Sequence, residues 1–200
     1  MPLPTRRDRF DQARLINIAN ALTATRVLLI PLFAWLLITD KEFEALLVFV
    51  TCGATDALDG LLARWLRQRT LVGAYLDPIA DKLLMATSFI VLAYVRIVPK
   101  WLAILVISRD LFILVGSFLY LLLLDRTDIR PTLLSKMNTA VQLLTVTCFL
   151  AAAAFPEFAG RIGAEEGASL FRGMTYLCAA TTAASGVQYL FVGLRKLSGA

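Results

Sequence analysis

Four aspartates, Asp56, Asp59, Asp77 and Asp81, stand inside the stretch TDALDGLLARWLRQRTLVGAYLDPIAD, which is flanked by strongly apolar sequence. Asp56 and Asp59 are spaced i, i+3, and Asp77 and Asp81 are spaced i, i+4, so on helices each pair shares one face. Two antiparallel helices can aim all four at one point. Ionised carboxylates gathered that closely in a low dielectric repel one another, and some must protonate unless cations neutralise them. One or two divalent ions resolve the conflict. The chain has no histidine, so acid–base and metal chemistry falls mainly to carboxylates, which suit hard cations such as Mg²⁺ or Mn²⁺. Two such ions about 4 Å apart, bridged by carboxylates, are a known arrangement for displacement at phosphorus.

Helix capping or pairing with Arg64 and Lys82 would account for one intramembrane aspartate, but not for four at paired spacings. The residues between them add to the metal reading. Gly60, Ala63 and Gly73 are small and sit near the acids, leaving gaps wide enough for a ligand, although glycine in a membrane helix also serves close helix packing. Arg64, at the mouth, can hold a diphosphate bidentately.

The elements that must carry these residues follow from composition. Of 200 residues 58% are hydrophobic and only 18% charged, with mean hydropathy +0.72, outside the usual range of a soluble domain. The chain reads as an all-α integral membrane protein. Six segments approach the roughly 20 apolar residues needed to cross about 30 Å of hydrocarbon. They lie near 18–38, 43–65, 71–95, 98–124, 132–155 and 170–193. Connections are short, with no internal repeat and no linker, so a single membrane domain is expected: an interfacial arm over 1–16 and a six-helix bundle over 17–196. In the arm, TRRDRFDQARLI reads as a short amphipathic helix whose arginines meet anionic headgroups. No small-residue cleavage site follows the first apolar run, so that run is read as retained. Cys52, Cys148 and Cys178 lie in apolar segments without CxxC spacing and read as buried thiols. The loop EFAGRIGAEEGAS reads as solvated.

Basic residues set the orientation. Twelve lie in the N-terminal arm, the second and fourth loops and the tail, against five on the opposite side. By the positive-inside rule both termini and the second loop face the cytoplasm or its equivalent. The net charge of +5 thereby has a membrane explanation and calls for no nucleic acid. With about 1.5 Å of rise per residue, Asp59 and Asp56 lie roughly 8 and 12 Å below Arg64, and Asp77 and Asp81 roughly 9 and 15 Å below Leu71. All four acids then share one depth near the cytoplasmic face.

Written as a pattern, the stretch is DxxDGxxAR, eight residues, then GxxxDxxxD, which resembles the signature of the CDP-alcohol phosphatidyltransferases at every position. The opening segment LINIANALTATRVLLIP is similar to the family's NIPNxLTxxR pattern, departing at Ala19. The resemblance implies a six-helix membrane fold, usually a homodimer, in which a CDP-linked lipid donates its phosphatidyl group to an alcohol and CMP leaves. By that analogy Asp56, Asp59 and Asp77 bind metal, and Asp81 shares the second metal and acts as general base. Gly60, Ala63, Arg64 and Gly73 line the nucleotide and diphosphate site, with Asn20, Thr23 and Arg26 as further contacts on the nucleotide side.

The acceptor is carried by weaker signals. ISRDLFIL, RPTLLSKMNTAVQLL and TTAAS resemble the eukaryotic-type cardiolipin synthases, so the resemblance runs from about Ile16 to Lys196. That implies CDP-diacylglycerol as donor and phosphatidylglycerol as acceptor, with Arg109, Lys136 and Asn138 as acceptor contacts. The alternative within the family is a phosphatidylglycerophosphate synthase. Those typically show Arg-Glu where this chain has Arg109 and Asp110, and carry a second arginine where it has Gly116 and Ser117. Glycerol 3-phosphate is nearly dianionic and benefits from several cations, whereas phosphatidylglycerol brings one charge and its own tails. An alternative from another class is an ion or proton transporter, which predicts acids near the midplane and repeated halves. The short N-terminal stretch without a clear transit peptide points to a bacterial inner membrane, with the mitochondrial inner membrane as the other setting.

Overall fold

The computed structural model describes residues 25–65, 71–124, 133–157 and 164–197, with side chains described over 25–55, 79–116, 133–157 and 165–192. The expected interfacial arm, and the start of the first segment with Asn20 and Thr23, lie outside the described residues. Within them the chain is helical, with no strand. Six helices follow in order: α1 (Thr25–Ile38), α2 (Glu42–Trp65), α3 (Leu71–Tyr94), α4 (Lys100–Leu124), α5 (Leu133–Ala154) and α6 (Ala164–Leu197). The ends of α2 to α5 fall within two residues of the expected segments. By length and hydropathy together, α5 is the helix among the described residues that meets the requirement for a membrane span, and α1 is a shorter apolar helix.

Helix α6 departs most from expectation. It begins six residues before the expected segment and ends four after it, running 34 residues. The sequence from Ala164, read as solvated loop, is its first turn, where Glu165 and Glu166 oppose the positive end of the helix dipole.

The chain divides into two compact units, residues 1–87 and 88–200. In the first, Phe33 of α1 and Phe49 of α2 are buried with ring centroids 5.9 Å apart, beside buried Leu37, Ala45 and Cys52. The turn between these helices explains their pairing. Asp40 takes a left-handed conformation, φ 56°, and Lys41 N–H reaches back to Leu36 C=O at 3.0 Å, the six-to-one bond of a Schellman cap. Glu42 and Glu44 then open α2.

In the second unit the same device ends α3. Arg96 has φ 64°, and Ile97 N–H reaches Leu92 C=O at 2.9 Å. Pro99 C=O then accepts the first bond of α4, from Leu102 N–H at 3.0 Å. Helix α6 packs against both α4 and α5. Trp101 meets Tyr176 at 6.2 Å and Phe149 meets Phe171 at 5.0 Å between ring centroids. At Gly116 a Cβ would stand 3.0 Å from the Tyr189 ring, whose hydroxyl donates to Ile113 C=O at 3.2 Å. That bond keeps the ring from yielding. Gly116→Val is expected to destabilise the protein by about 1–3 kcal/mol, read as a fall in unfolding midpoint in detergent; an unchanged midpoint would show that the ring gives way freely.

Large apolar side chains are exposed on every helix, among them Leu28, Leu47, Ile90, Ile104, Leu144 and Phe191. Threonines on these surfaces are internally satisfied. Thr51, Thr147 and Thr181 each donate to the carbonyl four residues earlier, at 2.7, 2.8 and 3.0 Å. Such bonds let hydroxyls sit in apolar surroundings.

Candidate functional site

Asp56, Asp59, Gly60, Ala63 and Arg64 lie on the last turns of α2, and Gly73, Asp77 and Asp81 on the first half of α3. Helical backbone at all these positions realises the i, i+3 and i, i+4 spacings, so each aspartate pair shares a helix face. Of the four, Asp81 is the one whose side chain is described. It is half-buried and interacts within the chain, next to Ala80, which is 1% exposed. The side chains of Asp56, Asp59, Ala63, Arg64 and Asp77 lie outside the described residues. Among the described residues no cluster of three metal-binding side chains occurs. The four aspartates expected as ligands are all carboxylates, the donor type that suits a hard divalent cation.

Arg26, on α1, is 3% exposed and lies within electrostatic reach of Cys52. A snorkelling arginine would extend its head to water; this one is buried. Cys52 stands one helical turn before Asp56 on α2. All three cysteines are free thiols, Cys52 and Cys178 buried and Cys148 half-buried.

The second unit contains a buried polar seam. Arg109, on α4, is 5% exposed. Its Nη1 donates to Asp110 Oδ1 at 2.6 Å, and its Nη2 donates to Ser135 Oγ of α5 at 2.9 Å and to Ser185 Oγ of α6. Further along, Thr182 Oγ1 donates to Asn138 Oδ1 at 2.9 Å, and Gln142 Nε2 donates to Thr182 Oγ1 at 3.3 Å. The pairs Ser135 with Ser185, Asn138 with Thr182 and Phe149 with Phe171 have numbers of one common sum, the register of two antiparallel helices. The face changes from charged to polar to aromatic along that register.

Of the expected acceptor contacts, the structure brings Arg109 and Asn138 into this seam, whereas Lys136 is exposed on α5. Ser135, Gln142, Thr182 and Ser185 were missed by sequence reasoning. Their signal was the recurrence of polar residues at helical spacing within apolar segments. Three buried polar atoms of the seam make no hydrogen bond: Arg109 Nε, Asn138 Nδ2 and Gln142 Oε1.

Comparison with known proteins bears on both regions. A family model described as CDP-alcohol phosphatidyltransferase matches residues 16–184, taking in both aspartate pairs and all of the seam but Ser185. The chain is 35% identical over 198 residues to a cardiolipin synthase (CMP-forming) of Rattus norvegicus, covering 90% of this chain and 63% of that protein. It is 38% identical over 155 residues to the cardiolipin synthase (CMP-forming) of Homo sapiens, covering 70% and 52%. It is also 31% identical over 193 residues to a chloroplastic CDP-diacylglycerol–glycerol-3-phosphate 3-phosphatidyltransferase of Oryza sativa, covering 88% and 56%. The chain thus spans between about half and two thirds of the length of these relatives. With the match covering α1 to α5, the first part of α6 and every aspartate of the motif, the chain belongs to the CDP-alcohol phosphatidyltransferase family.

Proposed function

We propose that this protein transfers the phosphatidyl group of CDP-diacylglycerol to phosphatidylglycerol, forming cardiolipin and releasing CMP. The family match and the names of the rat and human relatives support the reaction class. The observation that carries the acceptor is at Gly116, packed against the Tyr189 ring, and Ser117, where the phosphatidylglycerophosphate synthases typically carry a second arginine. A seam with one arginine suits a singly charged phosphodiester better than a nearly dianionic phosphate monoester. The second reading, glycerol 3-phosphate as acceptor, is favoured by the name of the rice relative.

Asp56, Asp59, Asp77 and Asp81 would hold one or two Mg²⁺ or Mn²⁺ ions, which supply positive charge to a diphosphate. Asp81 takes the proton from the free primary hydroxyl of phosphatidylglycerol. The hydroxyl oxygen attacks the phosphorus bearing the diacylglycerol, and the bond from that phosphorus to the CMP oxygen breaks. No covalent enzyme intermediate is formed. Arg64 clamps the diphosphate, Gly60, Ala63 and Gly73 leave room for the nucleotide, and Asn20, Thr23 and Arg26 contact it. Six membrane-spanning helices, an active site near the cytoplasmic face of a bacterial inner membrane, and a homodimer complete the proposal. Exposed apolar side chains on all six helices support the membrane setting.

Purified protein given CDP-diacylglycerol, labelled phosphatidylglycerol and Mg²⁺ or Mn²⁺ is expected to yield cardiolipin and CMP in equal amounts, and chelation is expected to stop both. Product from glycerol 3-phosphate but not from phosphatidylglycerol would favour the second reading. Ion flux without CMP release would instead indicate a transporter.

A further inference from the structure

We infer that the cleft between α4 and α6 seats one acyl chain of the acceptor lipid, and so helps select a lipid over a water-soluble alcohol. The inference rests on the proposed acceptor reading and adds a second contact region to it. The cleft has a volume of about 220 Å³ and is open on one side. Its lining is almost wholly apolar, with Leu105, Phe112, Ile113, Val187 and Leu190 as its larger members. Such a surface accommodates hydrocarbon by shape and close packing and supplies little for a sugar or a nucleotide.

What favours a charged lipid is the one ionisable cation in the lining, Arg109. Its Nη groups are committed to Asp110, Ser135 and Ser185, which fixes the guanidinium plane. Its buried Nε makes no hydrogen bond. A cationic residue with one unbonded N–H in the wall of a hydrocarbon slot is complementary to one phosphodiester oxygen with a chain attached. A free fatty chain would leave the N–H unused, and a small phosphate would leave the slot empty. The rim is accessible, since Phe112, Val187 and Leu190 are all exposed. Gly186 lines the slot without a side chain. A Cβ there would meet only Arg109 Cγ, at 3.5 Å, an ordinary contact, so larger residues extend into the cleft without disturbing the helix backbone.

The experiment has two parts. First, phosphatidylglycerol carrying a photoactivatable diazirine midway along one acyl chain is irradiated with the wild-type protein in vesicles, and labelled peptides are mapped. Labelling of segments 105–113 and 182–190, competed by unlabelled phosphatidylglycerol, is expected; labelling confined to other helices overturns the inference. Second, kcat/KM is measured for dioleoyl and dibutyryl phosphatidylglycerol in the series Gly186→Ala, Gly186→Leu. The ratio of the long-chain to the short-chain value is expected to fall about tenfold in Gly186→Leu, whose side chain overlaps the seated acyl chain, with a smaller fall in Gly186→Ala. An equal loss for both acceptors, or none, overturns it. If wild type labels in the cleft but makes no cardiolipin, the acceptor reading fails while the lipid site stands. If cardiolipin forms but the cleft stays unlabelled, the reading stands and the inference fails.

Discussion

Asp81→Asn is expected to lower the turnover of CDP-diacylglycerol to CMP by about 10²- to 10⁴-fold, the range contributed by a positioned general base. Asparagine matches the shape of aspartate but accepts no proton and carries no charge. The loss is therefore expected in kcat, with donor binding retained because Asp56, Asp59 and Asp77 still provide three carboxylates. Asp81 lies on α3, half-buried, four residues beyond Asp77, so the substitution changes one position on a helix face and leaves the rest of that face intact. Asp81→Glu keeps the charge and displaces the oxygen by one methylene; it is expected to fall between asparagine and wild type. The check is single-turnover CMP release at saturating donor, alongside binding of a labelled CDP-lipid. Asparagine turnover within about threefold of wild type would remove Asp81 from the base role. Equal losses of turnover and donor affinity would make it a ligand for the donor only.

The helices that carry the aspartates, α2 and α3, are the part of the protein most legible in its sequence. Acids paired at helical spacing within apolar sequence are costly without a cation to neutralise them. Helices α2 and α3 end within one residue of the expected bounds, because apolar runs and short polar connections leave little choice of boundary. Other features were less visible. The caps at Asp40 and Arg96 use a left-handed conformation at residues other than glycine, where residue type sends no signal. The early start of α6 was masked by the polarity of AEEGAS, although alanine and glutamates suit a first helical turn. Asn138 was expected as an acceptor contact, but Ser135, Gln142, Thr182 and Ser185 escaped notice because single polar residues in apolar segments read as isolated. Only the pairing of α5 with α6 brings them opposite one another. Arg109 lay between the two cases: its type marked it for function, whereas its partners on three helices depend on tertiary packing.

Arg109→Met is expected to destabilise the protein by about 3–5 kcal/mol, the usual consequence of removing one member of a buried ion pair. Methionine approximates the length of the arginine stem, so little packing volume is lost. The cause is electrostatic. Asp110, 8% exposed, loses the guanidinium 2.6 Å away, and Ser135 and Ser185 lose a shared donor. The double variant Arg109→Met with Asp110→Leu removes both charges and is expected to recover most of that stability, because a buried pair exchanged for apolar residues is often neutral. Unfolding midpoints in one detergent, arranged as a double-mutant cycle, isolate the coupling; a single variant within about 1 kcal/mol of wild type would mean that the pair contributes little to the fold. The double variant also separates two roles that the single variant confounds. If Arg109 only joins α4 to α5 and α6, a restabilised double variant regains cardiolipin formation. If its Nε holds the acceptor's phosphodiester, the double variant is folded, binds CDP-diacylglycerol and shows a KM for phosphatidylglycerol raised about tenfold or more, the loss of one charge-assisted hydrogen bond. Folded protein with an unchanged KM would confine Arg109 to structure and leave the acceptor to be held elsewhere.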